Sequence, residues 1–114
     1  MNLAAAGIGH ISLCDPDSVE LSNLQRQVLY RQDDIGQLKV DCAKRELLAL
    51  NPDLDITVFA TEVSTEVMVN NYDILVDCTD NLAARQLINQ HTVRQGKAFV
   101  SASALCWEGQ LMAF

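Results

Sequence analysis

Tyr72-Asp73-Ile74-Leu75-Val76-Asp77-Cys78-Thr79-Asp80-Asn81-Leu82-Ala83-Ala84-Arg85-Gln86-Leu87-Ile88 passes from an apolar run through a polar corner into a second, periodic apolar pattern. Residues 72 to 78 are short and nearly all apolar at Ile74-Leu75-Val76, as expected of a strand covered on both faces. Residues 81 to 95 suit a helix, with Leu82, Leu87, Ile88 and Val93 expected inward and Gly96 as its stop. The corner Asp77-Cys78-Thr79-Asp80-Asn81 therefore closes a strand and opens a helix, and Thr79 or Asp80 is a candidate cap.

The same alternation continues in both directions. Upstream, His10-Ile11-Ser12-Leu13-Cys14-Asp15 reads as a buried strand ending in an acid. Residues 16 to 36 are polar and irregular, with a turn signal at Asp15-Pro16-Asp17. A helix is expected over residues 37 to 51, where Val40, Ala43, Leu47 and Leu50 recur at helical spacing before Asn51-Pro52-Asp53 ends it. Residues 55 to 60 read as a strand, and residues 64 to 70 as a short helix capped by Ser64. Downstream, residues 98 to 104 and 110 to 114 are the last two strands. Strands that alternate with helices predict an α/β fold, a mostly parallel sheet with crossovers and flanking helices.

With 114 residues the chain has room for one domain. Fifteen acidic against eight basic side chains give a formal charge of −7, which repels a polyphosphate backbone and argues against nucleic acid as a partner. No apolar stretch approaches the ~20 residues needed to cross a bilayer, so no membrane partner is expected. There is no cationic start followed by an apolar run, so no signal peptide is read and a cytoplasmic location is expected. Cys14, Cys42, Cys78 and Cys106 form no C-x-x-C pair and are expected to be reduced and buried. Trp107 reads as packing, and neither His10 nor His91 has a ligand-spaced companion.

Met1-Asn2-Leu3-Ala4-Ala5-Ala6 reads as the last turns of a helix closed by Gly7 and Gly9, and Gln110-Leu111-Met112-Ala113-Phe114 as a strand without a polar tail. Both ends are thus expected to be cut from a longer chain. Gly7-Ile8-Gly9 stands after a helix and before a strand, the reverse of the order a dinucleotide fingerprint requires.

Several polar residues then stand where an open α/β sheet binds ligands. Asp15 ends a strand, where its carboxylate could accept from ribose hydroxyls or simply begin the Asp-Pro-Asp turn. Ser22-Asn23-Leu24-Gln25-Arg26-Gln27 is dense in donors, and Arg26 offers a planar fork suited to phosphate. A plain solvated loop would have the same composition. Lys39 falls in the first turn of its helix, where the backbone dipole disfavours a cation unless an anion accompanies it. It could equally be an exposed lysine near Asp33 and Asp34. Asp80 could hold Mg²⁺, which takes one or two protein carboxylates alongside phosphate oxygens.

Taken in order, these pieces match one family. Residues 5 to 17, Leu21-Ser22-Asn23-Leu24-Gln25-Arg26-Gln27, Ile35-Gly36-Gln37-Leu38-Lys39, Leu50-Asn51-Pro52, Asp77-Cys78-Thr79-Asp80-Asn81 and Glu108-Gly109-Gln110 resemble the ThiF/MoeB/HesA adenylyltransferases, bacterial relatives of ubiquitin-activating enzymes. The resemblance spans essentially the whole chain, and Gln25 resembles the bacterial sulfur-carrier branch. Pro16, where that family often has an aromatic, departs from it.

The resemblance implies ATP and Mg²⁺ as cofactors. Asp15 would hold the ribose. Asn23, Arg26 and Lys39 would hold the phosphates, with Ser22 and Gln25 shaping the loop. Asp80, with Asn81 beside it, would organise Mg²⁺ and the reacting carboxylate. The activity implied is adenylation of the C-terminal glycine of a small ubiquitin-like sulfur-carrier protein of the thiamine or molybdopterin type, by a full-length parent expected to be a homodimer. The family's first strand and glycine-rich loop would precede Met1, and its zinc-binding cysteine pairs would follow Phe114. The fold expected is therefore a Rossmann-like sheet that lacks its first strand. The strands ending at Asp15 and near Cys78 would then pair with each other or leave a groove, and ATP affinity of the chain alone would be poor. Two alternatives are a non-catalytic scaffold of the same fold and a nicotinamide-dependent oxidoreductase.

Overall fold

The computed structural model describes residues 1–69, 72–105 and 108–114. Asn70, expected to end the short helix, and Cys106 and Trp107, read above as packing residues, lie outside the described residues. The chain divides into two compact units, Met1–Glu62 and Val63–Phe114.

In the first unit, helix α1 (Asn2–Ala5) is followed by strand β1 (His10–Cys14), helix α2 (Lys39–Leu50) and strand β2 (Asp55–Phe59). Gly7, with φ +89°, adopts the left-handed backbone that turns the chain out of α1. Strands β1 and β2 run parallel, in register from His10 opposite Asp55 to Cys14 opposite Phe59. Ala4, Leu47, Leu54 and Ile56 form the buried core, and Ile11, Leu13, Leu29, Leu48 and Val58 pack around it. Asn51 donates from Nδ2 to the Ala4 carbonyl at 3.0 Å, which ties the end of α2 to α1.

Val40, Ala43 and Leu47 point inward as their spacing predicts, whereas Leu50 is half exposed. Leu50 shares that face, but it is the last residue of α2, where the helix ends. Leu47→Ala should lower the unfolding free energy by about 2–5 kcal/mol, the range for emptying a packed leucine site. Urea denaturation followed by circular dichroism checks this, and an unchanged midpoint would show that the site collapses without cost.

The second unit holds α3 (Thr65–Met68), β3 (Ile74–Asp77), α4 (Leu82–Gln95), β4 (Ala98–Leu105) and β5 (Glu108–Ala113). Strand β3 pairs parallel with β4, and β4 pairs antiparallel with β5. Ser64 caps α3 by accepting from the Val67 N–H at 3.4 Å. Met68, Ile88 and Phe99 make the core, with Val63, Leu75 and Leu87 against it.

Within the α/β class expected, the described strands form two ladders, β1-β2 and β3-β4-β5. Three expectations need correction here. Strand β3 is covered on one face only: Leu75 and Asp77 turn inward, while Ile74 and Val76 are 56% and 51% exposed. In α4 the buried row is Ala84, Ile88 and Thr92, spaced by four, and Leu82 and Val93 lie outside it at 70% and 73% exposure. The cysteines differ from one another, since Cys42 is buried but Cys14 and Cys78 are exposed, and all three are free thiols.

Candidate functional site

In the first unit, the polar segment between β1 and α2 is folded, not a loose loop. Val19 is almost fully buried and acts as its anchor. Its N–H donates to the Gln37 carbonyl at 2.8 Å, and its carbonyl accepts from the Gly36 N–H at 2.9 Å. Ser18 and Leu38 form an antiparallel bridge beside them. This clip fixes the first turn of α2 against the segment that leaves β1. Gly36 makes the turn possible with φ +86°, a backbone that other residues rarely adopt.

Asp15 follows the C-terminal end of β1 and does begin the turn, accepting from the Asp17 N–H on Oδ1 at 2.8 Å. The turn occupies one carboxylate oxygen. A short 3₁₀ helix (Leu21–Asn23) then orders the donor-rich stretch. Asn23 Oδ1 accepts from Arg26 Nη2 at 3.1 Å, and the Asn23 carbonyl accepts from the Arg26 and Gln27 N–H groups at 3.2 and 3.0 Å. Gln25 Nε2 donates to the Ser22 carbonyl at 3.3 Å, and Ser22 Oγ to Glu20 Oε2 at 3.4 Å. These pairings are local, so Arg26 keeps an exposed guanidinium with its remaining donors directed at no protein acceptor that the described residues supply. Leu29 ties the far end of the segment to the core. Tyr30 beside it is half buried, and burial, then the charge of Asp15, pushes its phenol up to about 12.

Of the two readings of Lys39, the exposed lysine near Asp33 and Asp34 is the one that fails: Lys39 is 6% exposed, and its partner is neither of them. Nζ lies 3.3 Å from Asp17 Oδ2. Asp34 is turned inward instead, accepting from the Arg31 N–H at 2.9 Å and from Arg45 Nη2 at 2.7 Å. Those two bonds, the backbone one first, hold its carboxyl below the usual range. In this unit, sequence reasoning passed over Asp17 and Asp34. Asp17 was visible only as half of a turn signal, and nothing in the spacing of Asp34 from Arg45 marks a pair across a turn and a helix.

In the second unit, Asp77 rather than Asp80 carries the buried charge. Asp77 Oδ1 accepts from Thr79 Oγ1 at 2.6 Å and from the Thr79 N–H at 2.9 Å, and Oδ2 accepts from Ser101 Oγ at 2.9 Å. Arg85 Nε stands 3.1 Å from the same Oδ2 as an ion pair, and Arg85 Nη2 donates to the Thr79 carbonyl at 2.7 Å. Burial works to raise the Asp77 pKa, but the bonds from Thr79 and Ser101 and the Arg85 charge outweigh it and hold the carboxyl low. The corner is thereby locked.

Neither Thr79 nor Asp80 caps α4. Asn81 does, accepting on Oδ1 from the Ala84 N–H at 2.7 Å. Asp80 is left exposed, and among the described residues it forms no hydrogen bond or ion pair. A single free carboxylate fits Mg²⁺ as a shared ligand with phosphate oxygens and water, not as a protein cage. The described residues contain no group of three or more His, Cys, Asp or Glu placed to hold a metal. No helix among them is long and apolar enough to cross a membrane.

Parallel strands, flanking helices and polar residues just past the C-terminal ends of β1 and β3 place the protein in the Rossmann-like α/β class. The chain belongs to the ThiF family, whose model it matches over residues 1–114. It is 51% identical over 114 residues to the adenylyltransferase and sulfurtransferase uba4 of Aspergillus niger, covering 96% of this chain and 23% of that protein. It is 43% identical over 115 residues to the adenylyltransferase and sulfurtransferase MOCS3 of Culex quinquefasciatus, covering 98% of this chain and 26% of that one. The chain thus spans about a quarter of the length of these relatives. Among solved structures it is similar to Escherichia coli MccB with ATP, at TM-score 0.82 and 33% identity over 91% of this chain and 32% of that one. PaaA is similar at TM-score 0.77 and 33% identity over 90% of this chain and 32% of that one.

Proposed function

We propose that the protein takes part in ATP-dependent adenylation of the C-terminal glycine carboxylate of a small ubiquitin-like sulfur carrier, of the thiamine or molybdopterin type. The observation that carries this reading is the buried ammonium of Lys39 in the first turn of α2, in the same unit as the ordered Asn23–Arg26 pair. A cation there is uphill against the helix dipole without an anion close by; Asp17 is that anion in the unliganded protein, and phosphate is another that suits the position. The relatives' names, adenylyltransferase and sulfurtransferase, support the same chemistry. On this reading residues 1–114 are part of one adenylation domain, which works in the cytoplasm as a homodimer.

In the proposed reaction a carboxylate oxygen of the carrier attacks the α-phosphorus of ATP. The bond from that phosphorus to the bridging oxygen breaks, and pyrophosphate leaves. An α-carboxyl with a reference pKa of about 3.5 is already ionised at neutral pH, so no general base is needed. The work left to the protein is to hold two anions together and to offset charge on the leaving group. Asn23, Arg26 and Lys39 would contact the phosphates, with Ser22 and Gln25 holding the loop in shape. The free oxygen of Asp15 would accept from the ribose. Asp80, with Asn81 fixing the turn behind it, would hold Mg²⁺, which supplies charge neutralisation at the phosphates when bound.

The test is exchange of labelled pyrophosphate into ATP by the protein expressed from its whole gene. Exchange should require the carrier and should stop when the carrier's terminal glycine is deleted. Exchange that ignores the carrier would assign the site to another substrate.

A further inference from the structure

We infer that Asp17 is a resident counter-anion for Lys39, which an entering phosphate must displace, and that Asp17 thereby sets the affinity of this segment for phosphate. The inference rests on the phosphate-binding role proposed above for Lys39 and adds a residue that the reading does not use.

The pair is lopsided. The Lys39 side chain is 8% exposed and the Asp17 side chain 65%. An ammonium that far from water cannot be left without a partner, whereas the carboxylate can return to solvent at little cost. The contact is also loose, since 3.3 Å exceeds the roughly 2.7–2.9 Å of a tight charge-assisted hydrogen bond. Asp17 is the acceptor that the described residues place against Lys39 Nζ.

The Asp17 main chain, by contrast, is held at both ends. Its N–H donates to Asp15 Oδ1 at 2.8 Å, and its carbonyl accepts from the Lys39 N–H at 2.9 Å. The latter bond satisfies one of the donors that the start of a helix leaves open. Side-chain rotation alone can therefore release Nζ, with the backbone link between Asp15 and Lys39 intact. Release exchanges one anion for another at a fixed cation. An incoming phosphate meets a site that is already neutralised, and its apparent affinity falls by the fraction of time that Nζ is free of Asp17.

Removing the charge while keeping the shape, as in Asp17→Asn, should strip away the competitor. The unliganded protein then holds an unpaired buried ammonium, and the phosphate-bound protein does not. Inorganic pyrophosphate at constant ionic strength, titrated calorimetrically into the protein expressed from its whole gene, is the probe. Asp17→Asn should bind it on the order of tenfold tighter than wild type and melt at a lower temperature when unliganded. Asp17→Glu, which keeps the charge, should stay near wild type. Lys39→Met should weaken binding and abolish the gain from Asp17→Asn in the double variant.

If Asp17→Asn proves too unstable to titrate, the wild-type chain supplies a second readout. The Asp17 side-chain carbonyl carbon resonance should move to that of a free carboxylate as pyrophosphate saturates, and a resonance that stays put overturns the inference. Binding that depends on Lys39 but is not tightened by Asp17→Asn also overturns it, and leaves the adenylation reading standing. Binding that is absent, or indifferent to Lys39, overturns both.

Discussion

Replacing Asp77 with alanine should destabilise the second unit by about 3–5 kcal/mol, the usual cost of removing one member of a buried ion pair. The substitution strands Arg85, whose side chain is 28% exposed, and takes the acceptor away from Thr79 and Ser101 together. It also opens the corner that joins β3 to α4 and carries Asp80. Hydrogen exchange at the amides of β3, α4 and β4 would report the loss, and unchanged protection would show the network to be dispensable. The same carboxylate gives a pH signature. Because its folded pKa is held low, its stabilising contribution is present above the unfolded value of about 3.9 and is lost as pH falls through the folded value below that. Asp34 acts in the same direction in the first unit. Asp77→Asn should therefore flatten the acid limb of the stability profile, and a limb of unchanged slope would remove Asp77 from its origin.

Arg26→Ala should reduce carrier-dependent pyrophosphate exchange by roughly 10²–10³-fold while leaving stability nearly untouched. The two effects separate because Arg26 is exposed and bonded within the described residues only to Asn23, three positions away. Its loss removes no core contact, but it removes a donor that would meet charge building on the leaving pyrophosphate. The comparison of exchange rate with unfolding midpoint decides the matter. Wild-type exchange in a folded variant would take Arg26 out of the mechanism.

The residues that betrayed the fold are those whose period is local. Val40, Ala43 and Leu47 follow the helical repeat, Gly96 ends α4 in the left-handed conformation, and Ser64 caps α3, so each element was legible from a few neighbours. Leu50, Leu82 and Val93 misled because an apolar side chain marks a face only if something covers that face, and coverage is a tertiary fact. Ile74 and Val76 misled for the same reason, since among the described residues their face of β3 is left uncovered. Polar residues divided along similar lines. Asp15, Asn23, Arg26 and Lys39 stood out as types that bind phosphate and ribose, while the acids that pair with cations across a turn, Asp17 and Asp34, carried no local pattern. Between Thr79, Asp80 and Asn81 all three types can cap a helix, and only the backbone register selects Asn81.

The central claim, that a carboxylate oxygen attacks the α-phosphorus of ATP, can be read from isotope. A ubiquitin-like carrier labelled with ¹⁸O in its C-terminal carboxylate would be incubated with Mg-ATP and the protein expressed from its whole gene. Hydroxylamine would then attack the activated carbonyl carbon, breaking its bond to the oxygen shared with phosphate and releasing AMP. Mass spectrometry should find ¹⁸O in the AMP and a hydroxamate at the carrier's C-terminus. Label in orthophosphate, or AMP without label, would contradict adenylation at that carboxylate.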